Sequence, residues 1–164
     1  MKNEILIREY EPGDASLVCY LQMKLYREKY GFKAIFEYYL MHAMAEFLRD
    51  PHGGQIWVSK CDDKLIGSVA IVKVNEKAAQ LRWFAVDESA QGSGIGGKLL
   101  DTALKFSDES GYETINLWTI DMLHAARHMY AKRGFELIRT QENSEWSDKK
   151  LIEEEWQRKN PFKF

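Results

Sequence analysis

The stretch QGSGIGGKLL, residues 91 to 100, constrains the chain more than any other segment. Four glycines fall within positions 92 to 97, and an amphipathic pattern at Leu99, Leu100, Ala103 and Leu104 follows without a gap. Glycine at such positions permits positive φ and lets another molecule approach the backbone closely. A helix starting straight after the turn aims unpaired N–H groups and its positive dipole end at the turn, so an anion is the natural occupant. A ligand-free turn between strand and helix is the plainer alternative. Glycine at four positions in six, against a background of about 7%, argues against it.

Three phosphate-binding patterns overlap here. A P-loop spacing runs from Gly92 to Gly97 and Lys98, but Leu99 stands where a hydroxyl must hold Mg²⁺. The dinucleotide fingerprint is met by Gly92, Gly94 and Gly97, yet that motif belongs directly behind the first strand of a βαβ domain. Here DESAQ intervenes after Val86, three strand-like segments come earlier, and Asp121 is weak support for a ribose-binding acid. The third pattern, Q-x-x-G-x-G, is met by Gln91, Gly94 and Gly96.

The surrounding chain supplies the context. ILIREY (5–10) reads as a strand, EPGD as a turn, and Asp14 as the cap of a helix with Leu17, Val18, Leu21 and Leu25 on one side. Residues 33–50 predict a second helix with a stripe at Ile35, Phe36, Tyr39, Leu40, Ala43, Met44 and Phe47, ended by Pro51, Gly53 and Gly54. Segments 55–61, 65–74 and 78–86 read as a β meander. The helix behind the glycine turn stops at Gly111, and 114–120 is a short strand. Residues 122–133 place Met122, Ala125, Ala126, Met129 and Tyr130 on one helical face, and 135–140 is a further strand. The tail SDKKLIEEEWQRK has helical propensity, with Ser147 as its cap. The order β-α-α-β-β-β-α-β-α-β predicts an α+β fold with a mixed sheet rather than a doubly wound one.

Composition narrows the function classes. A chain of 164 residues, 45% apolar, fits one domain over 1–164 with a sizeable core. A net charge of −2 with mixed signs argues against a nucleic-acid partner. Cys19 and Cys61 are too few for a disulfide framework or a metal cluster, so no metal is expected. With no long apolar run and no signal-peptide core, a soluble, cytoplasmic protein off the membrane is expected.

The segment LRWFAVDESAQGSGIGGKLLDTAL resembles the acetyl-CoA-binding segment of the GNAT N-acetyltransferases, whose R/Q-x-x-G-x-G/A signature Gln91, Gly94 and Gly96 satisfy. A second family feature, A-x-x-x-Y-x-x-x-G-F, is met by Ala126, Tyr130, Gly134 and Phe135. LWTIDMLHAARHMYAKRGF is most similar to GNAT domains also found fused behind winged-helix regulators; no such DNA-binding module is expected here, because the pattern starts at the N-terminus.

The resemblance implies a mixed, mostly antiparallel sheet of six or seven strands with about four helices, strands four and five splayed and the tail a seventh strand. It implies acetyl-CoA as cofactor. The backbone of Gln91, Gly92, Ser93, Gly94, Ile95, Gly96 and Gly97 would cradle the pyrophosphate, with Lys98 either adding charge or simply solvated. Phe84, Ala85 and Val86 would offer backbone to the pantetheine arm and an N–H to the thioester carbonyl. Tyr130 takes the general-acid position.

Two departures stand out. Leu123 replaces an Asn that many members carry, and Gln80 stands where some place a glutamate base; Trp118 occupies another location for such a base. The amine would lose its proton through water or a carboxylate such as Glu37 or Glu153. Tyr26, Tyr30, Phe36 and Tyr38, with Trp83 and Trp118, would wall an acceptor pocket for an apolar or cationic amine. The implied activity is acetyl transfer to a primary amine of a small molecule, with a protein amine or a non-catalytic acyl-CoA sensor as alternatives, and with homodimerisation as in many members.

Overall fold

The computed structural model describes residues 5–163, so the extreme ends of the expected domain lie outside the described residues. These residues form seven strands, four α-helices and a short 3₁₀ turn. In chain order they are β1 (Leu6–Glu9), α1 (Asp14–Tyr30), α2 (Ala34–Arg49), β2 (Gln55–Cys61), β3 (Lys64–Lys73) and β4 (Ala78–Val86). After the 3₁₀ turn (Glu88–Ala90) come α3 (Ile95–Glu109), β5 (Thr114–Ile120), α4 (His124–Lys132), β6 (Glu136–Asn143) and β7 (Leu151–Lys159). One sheet holds all strands in the order β1-β2-β3-β4-β5-β7-β6. Every pairing is antiparallel except β4 with β5. The fold is therefore α+β with a mixed sheet, as the element order predicts.

Helices cover both faces, which explains why β3 is buried almost throughout rather than alternating. On one face, Leu99, Leu100 and Ala103 of α3 pack with Tyr130 of α4 against Ile71, Leu81, Ile115 and Leu117. On the other, Val18 and Leu21 of α1 and Met44 and Phe47 of α2 pack against Ile56, Val58, Ala70 and Trp83. A smaller cluster joins Phe32, Ile120 and Leu151 with Tyr26, Phe36 and Trp146, closing the end of the sheet near the α1–α2 connection. Among the described residues no helix is long and apolar enough to cross a membrane, and no group of three His, Cys, Asp or Glu residues could hold a metal.

Several sequence expectations need correction. Asp14 does not cap α1. Gly13, at φ 98°, takes that place, and Asp14 is the first helical residue. Its buried carboxylate turns back to Arg8 at 2.7 Å, Lys60 at 3.2 Å and the Glu11 N–H at 2.8 Å. Leu17 and Tyr39 sit on exposed helical surface, and so does Ala125. Ser147 caps no helix: its hydroxyl accepts the Lys149 N–H and donates to the Lys149 carbonyl in the β6–β7 connection. The tail LIEEEWQRK, by contrast, is the seventh strand that the family resemblance implies: its helical propensity is overridden because β7 lies between two strands, with full ladders to β5 and β6.

Candidate active site

The site begins with a defect in β4. Ala85 pairs with Ser68 and Arg82 with Ala70, so Trp83 and Phe84 together face Val69 alone. This is a β-bulge, and Trp83 lies in the left-handed region at φ 48°. For a non-glycine residue that conformation costs about 1–2 kcal/mol. Two contacts hold it: the buried Ser68 hydroxyl donates to the Trp83 carbonyl at 2.6 Å, and the Trp83 ring meets Phe47 edge-on at 5.9 Å.

The bulge reverses the alternation of side chains. Ala79 and Leu81 pack toward α3, whereas Trp83 and Ala85, beyond the extra residue, pack toward α1 and α2. Arg82 and Trp83 therefore point to the same face, and the guanidinium carbon lies 5.9 Å from the Trp83 ring centroid. The bulge also coincides with a parting of strands. β4 pairs with β5 only from Ala78 to Gln80, opposite Thr114 to Asn116. Beyond Gln80 the two diverge, and the β5-facing backbone edge of β4 is released.

Two hollows meet at this parting. A groove of 790 Å³ runs along Phe84, Ala85 and Val86, past the glycine turn, to the first turns of α4. A cavity of 430 Å³ opens from the α1–α2 face, against Gln80 to Phe84 and Leu117 to Ile120. Tyr26 and Phe84 line both.

At the groove's far end the turn presents backbone donors selectively. The Gln91 N–H is spent on Glu88, that of Ser93 on Ala90, and that of Ile95 on the Ser93 hydroxyl. Among the described residues the N–H groups of Gly92, Gly94, Gly96 and Gly97 have no partner. Gly94, at φ 84°, caps α3, a conformation that puts the helix start directly at the turn. The Gln91 side chain donates to the Val86 carbonyl at 3.3 Å, tying the turn to the end of β4. Ile95 buries its side chain in the core, so only its backbone faces the turn. Lys98 is exposed and lies outside the groove lining.

The cavity is aromatic with a few unusual polar groups. Tyr26 stacks on Phe32 at 5.0 Å, Phe32 meets Phe36 edge-on at 4.9 Å, and Phe36 lies 5.0 Å from Trp146. Glu153 of β7 is buried there, accepting hydrogen bonds from Gln141 and Asn143. Arg82 donates to the Gln80 side chain at 2.8 Å, and among the described residues no carboxylate lies within ion-pair distance of it. The Gln22 Nε2 is buried with no partner among the described residues, a state that costs about 1–3 kcal/mol unless a ligand relieves it.

Tyr130 is 5% exposed and lines the cavity, with Phe84 and Phe135 edge-on at 6.0 Å and 5.8 Å. Burial, with Tyr26 nearby, raises its phenol well above the ordinary range, so it stays protonated across working pH. Burial also pushes Tyr26 up to about 12, with Tyr30 adding to the shift.

The remaining sequence-derived candidates separate cleanly. Gln80, Trp118, Phe36 and Trp83 line the cavity. Tyr30 lines the groove instead. Glu37 is exposed and lines neither hollow, and Tyr38, 56% exposed, also lines neither and stacks on His42 at the cavity's edge. Leu123 lines the groove as an apolar residue. Gln22, Arg82 and Ser68 are not singled out by sequence. For Arg82 a signal exists, since it is the one ionisable side chain in AAQLRWFAV.

A bulged fourth strand parting from the fifth, with a glycine turn and helix start behind it, defines an acetyltransferase-type architecture. The profile of the acetyltransferase (GNAT) family matches residues 19–135, most of the chain, and the chain belongs to that family. A rat protein, N-acetyltransferase family 8 member 3, is 29% identical over 90 residues, 52% of this chain and 40% of the relative. The match thus spans about two fifths of the length of that curated relative. Among solved structures, a GNAT-family acetyltransferase from Staphylococcus aureus Mu50 superposes with TM-score 0.78 at 20% identity, covering 96% of this chain and 99% of that one. A putative acetyltransferase from Salmonella typhimurium, solved with acetyl-CoA, gives TM-score 0.76 at 14% identity, covering 96% and 94%. At these identities the structures establish likeness of fold.

Proposed function

We propose that the protein transfers an acetyl group from acetyl-CoA to a primary amine of a small molecule, by direct attack. One observation carries the reading: the bulge at Trp83 and Phe84 sits where a 790 Å³ groove and a 430 Å³ cavity meet. One hollow suits a long donor and the other a small acceptor. The residues fit acetyl-CoA. The free N–H groups of Gly92, Gly94, Gly96 and Gly97 suit a diphosphate, and the unpaired edge of β4 suits an extended amide-bearing arm.

When bound, acetyl-CoA supplies an activated acyl group on sulfur. The backbone beyond the bulge, from Phe84 to Val86, orients the acyl carbonyl and offers N–H donors to the charge developing on its oxygen. The cavity walls hold the amine against that carbon and exclude water. As the N–C bond forms and the C–S bond breaks, the Tyr130 phenol would give its proton to the departing sulfur. Burial keeps the phenol in its protonated form at working pH. Glu153, buried in the cavity wall, is better placed than exposed Glu37 to receive the proton of the amine, directly or through water.

Other elements of the reading rest on less. A cavity of 430 Å³ and mixed surface charge favour a small molecule over a protein amine, without a nucleic-acid partner. A cytoplasmic location, a single domain, a homodimer and kinship with regulator-fused domains complete the reading.

The test follows thiol release from acetyl-CoA across a panel of amines. Tyr130→Phe is expected to lower kcat about 10²–10³-fold with little change in the KM for acetyl-CoA. Tight CoA binding without turnover on any amine, and no effect of the substitution, would replace the reading by a non-catalytic sensor.

A further inference from the structure

The acceptor cavity holds a guanidinium without a counter-charge and an amide donor without an acceptor among the described residues. Arg82 lines it with a guanidinium bound to a neutral amide, that of Gln80, and to no carboxylate among the described residues. Gln22 lines it from α1, 4% exposed, with its amide Nε2 bonded to nothing among the described residues. A half-buried cation without a counter-charge and a buried donor without an acceptor are each unfavourable alone. Together in one hollow they form a site for an anionic oxygen. Arg82 is set on this face by ordinary alternation with Ala79 and Leu81, which pack toward α3. It precedes the extra residue, so its side chain faces α1 and α2 while Phe84, two positions on, lines the donor groove. Two residues of strand span about 7 Å, the scale of one small molecule between the anion site and the acyl carbon.

The opposite charge is present as well. Glu153 lines the same cavity and, among the described residues, is met only by the neutral amides of Gln141 and Asn143. Ile120 of β5, opposite Glu153 in the ladder, lines the cavity too, so the carboxylate flanks the parting on the β5 side and Arg82 on the β4 side. The walls between are aromatic: Tyr26, Phe36, Trp83, Trp118 and Trp146.

We infer that the acceptor is a small amino carboxylate with an apolar side chain. Its carboxylate is held by Arg82 and the Gln22 amide, its ammonium drawn toward Glu153, and its side chain packed on the aromatic walls. This rests on the acetyl-transfer reading above and sharpens it, because a lone guanidinium penalises diamines and polyamines that an aromatic pocket alone would accept. The geometry also excludes a role for Arg82 in holding the donor's phosphates, since it does not line the groove.

The experiment compares apolar α-amino acids with their methyl esters, their decarboxylated amines and a set of diamines. Thiol release is followed, together with calorimetric binding of each compound to the CoA-loaded protein. Amino acids are expected to be favoured over their esters and decarboxylated forms by about 30-fold or more in kcat/KM, as loss of a buried charge pair predicts. Arg82→Gln should raise the acceptor KM by a similar factor, erase the preference over the ester, and leave the acetyl-CoA KM unchanged. Arg82→Lys should restore part of the preference. Gln22→Leu should weaken the amino acid and spare the decarboxylated amine. Equal turnover of acid, ester and amine, or an unchanged preference in Arg82→Gln, would overturn the inference. Amino-acid binding that Arg82→Gln abolishes, without turnover, would uphold the anion site and remove the acetyl-transfer reading. Turnover of diamines alone would do the reverse.

Discussion

Ser68→Ala tests whether one hydroxyl holds the reactive segment of β4 in shape. Ser68 is fully buried, and its hydroxyl donates to the carbonyl of Trp83, the residue at φ 48°. The left-handed conformation costs about 1–2 kcal/mol. The bond returns a comparable amount, and its removal strands a buried carbonyl, so the net loss is about 1–3 kcal/mol. For a chain of this length that lowers Tm by about 3–10 °C. The effect on chemistry should be separable. A bulge freed to relax misaims the N–H groups between Phe84 and Val86, and complete loss of one such donor costs about 10²–10³ in kcat. Partial relaxation then predicts a fall in kcat of about 10- to 100-fold, with the acetyl-CoA KM changed by less than about threefold because the glycine turn is untouched. Thermal unfolding and initial-rate kinetics on the same preparation measure both. Ser107→Ala is the control, since the Ser107 hydroxyl is buried without a partner among the described residues and its removal should cost nothing. A Ser68→Ala protein with lowered Tm but unchanged kcat would refute the reasoning, because the bulge would then be set by packing alone.

Two further predictions concern stability. Gly94→Ala meets no atom within 4 Å but must adopt φ 84°, so a loss of about 1–2 kcal/mol is expected from backbone strain alone, read as a lowered urea midpoint, together with weaker stabilisation by CoA. For Asp14, burial favours the neutral form, but Arg8, the Glu11 N–H and Lys60 outweigh it and hold the carboxyl below its usual range. A carboxyl depressed in the folded state stabilises fully above its unfolded pKa of about 3.9 and loses that contribution as pH falls through the folded value. Asp14→Asn should therefore lower stability at pH 7 and flatten its decline below about pH 4, a comparison made by urea titration at each pH.

Much of this architecture is written in short-range pattern. The strands of the meander alternate or run apolar, α3 carries a clear stripe behind its glycine turn, and the spacing from Gln91 to Tyr130 links the groove lined by the first to the cavity lined by the second. What escapes is set by long-range pairing. No local rule places a bulge at Trp83, because the extra residue exists only relative to Val69 on the neighbouring strand. The same holds for β7, whose sequence favours a helix until β5 and β6 flank it. Arg82 and Gln22 illustrate a third limit. Each is an ordinary polar residue in sequence, and only the fold gives it meaning: among the described residues Arg82 meets an amide and no carboxylate, and the Gln22 Nε2 has no partner.

The strand order β5-β7-β6 has a consequence for how the molecule is made. The turn that suits the donor, and Tyr130, lie in the chain before β6. Glu153 and Trp146, by contrast, arrive with a hairpin whose second arm must dock onto β5 from outside. During synthesis the donor groove can take shape while the acceptor cavity still lacks a wall. A nascent chain would thus gain affinity for its cofactor before it could discriminate among acceptors.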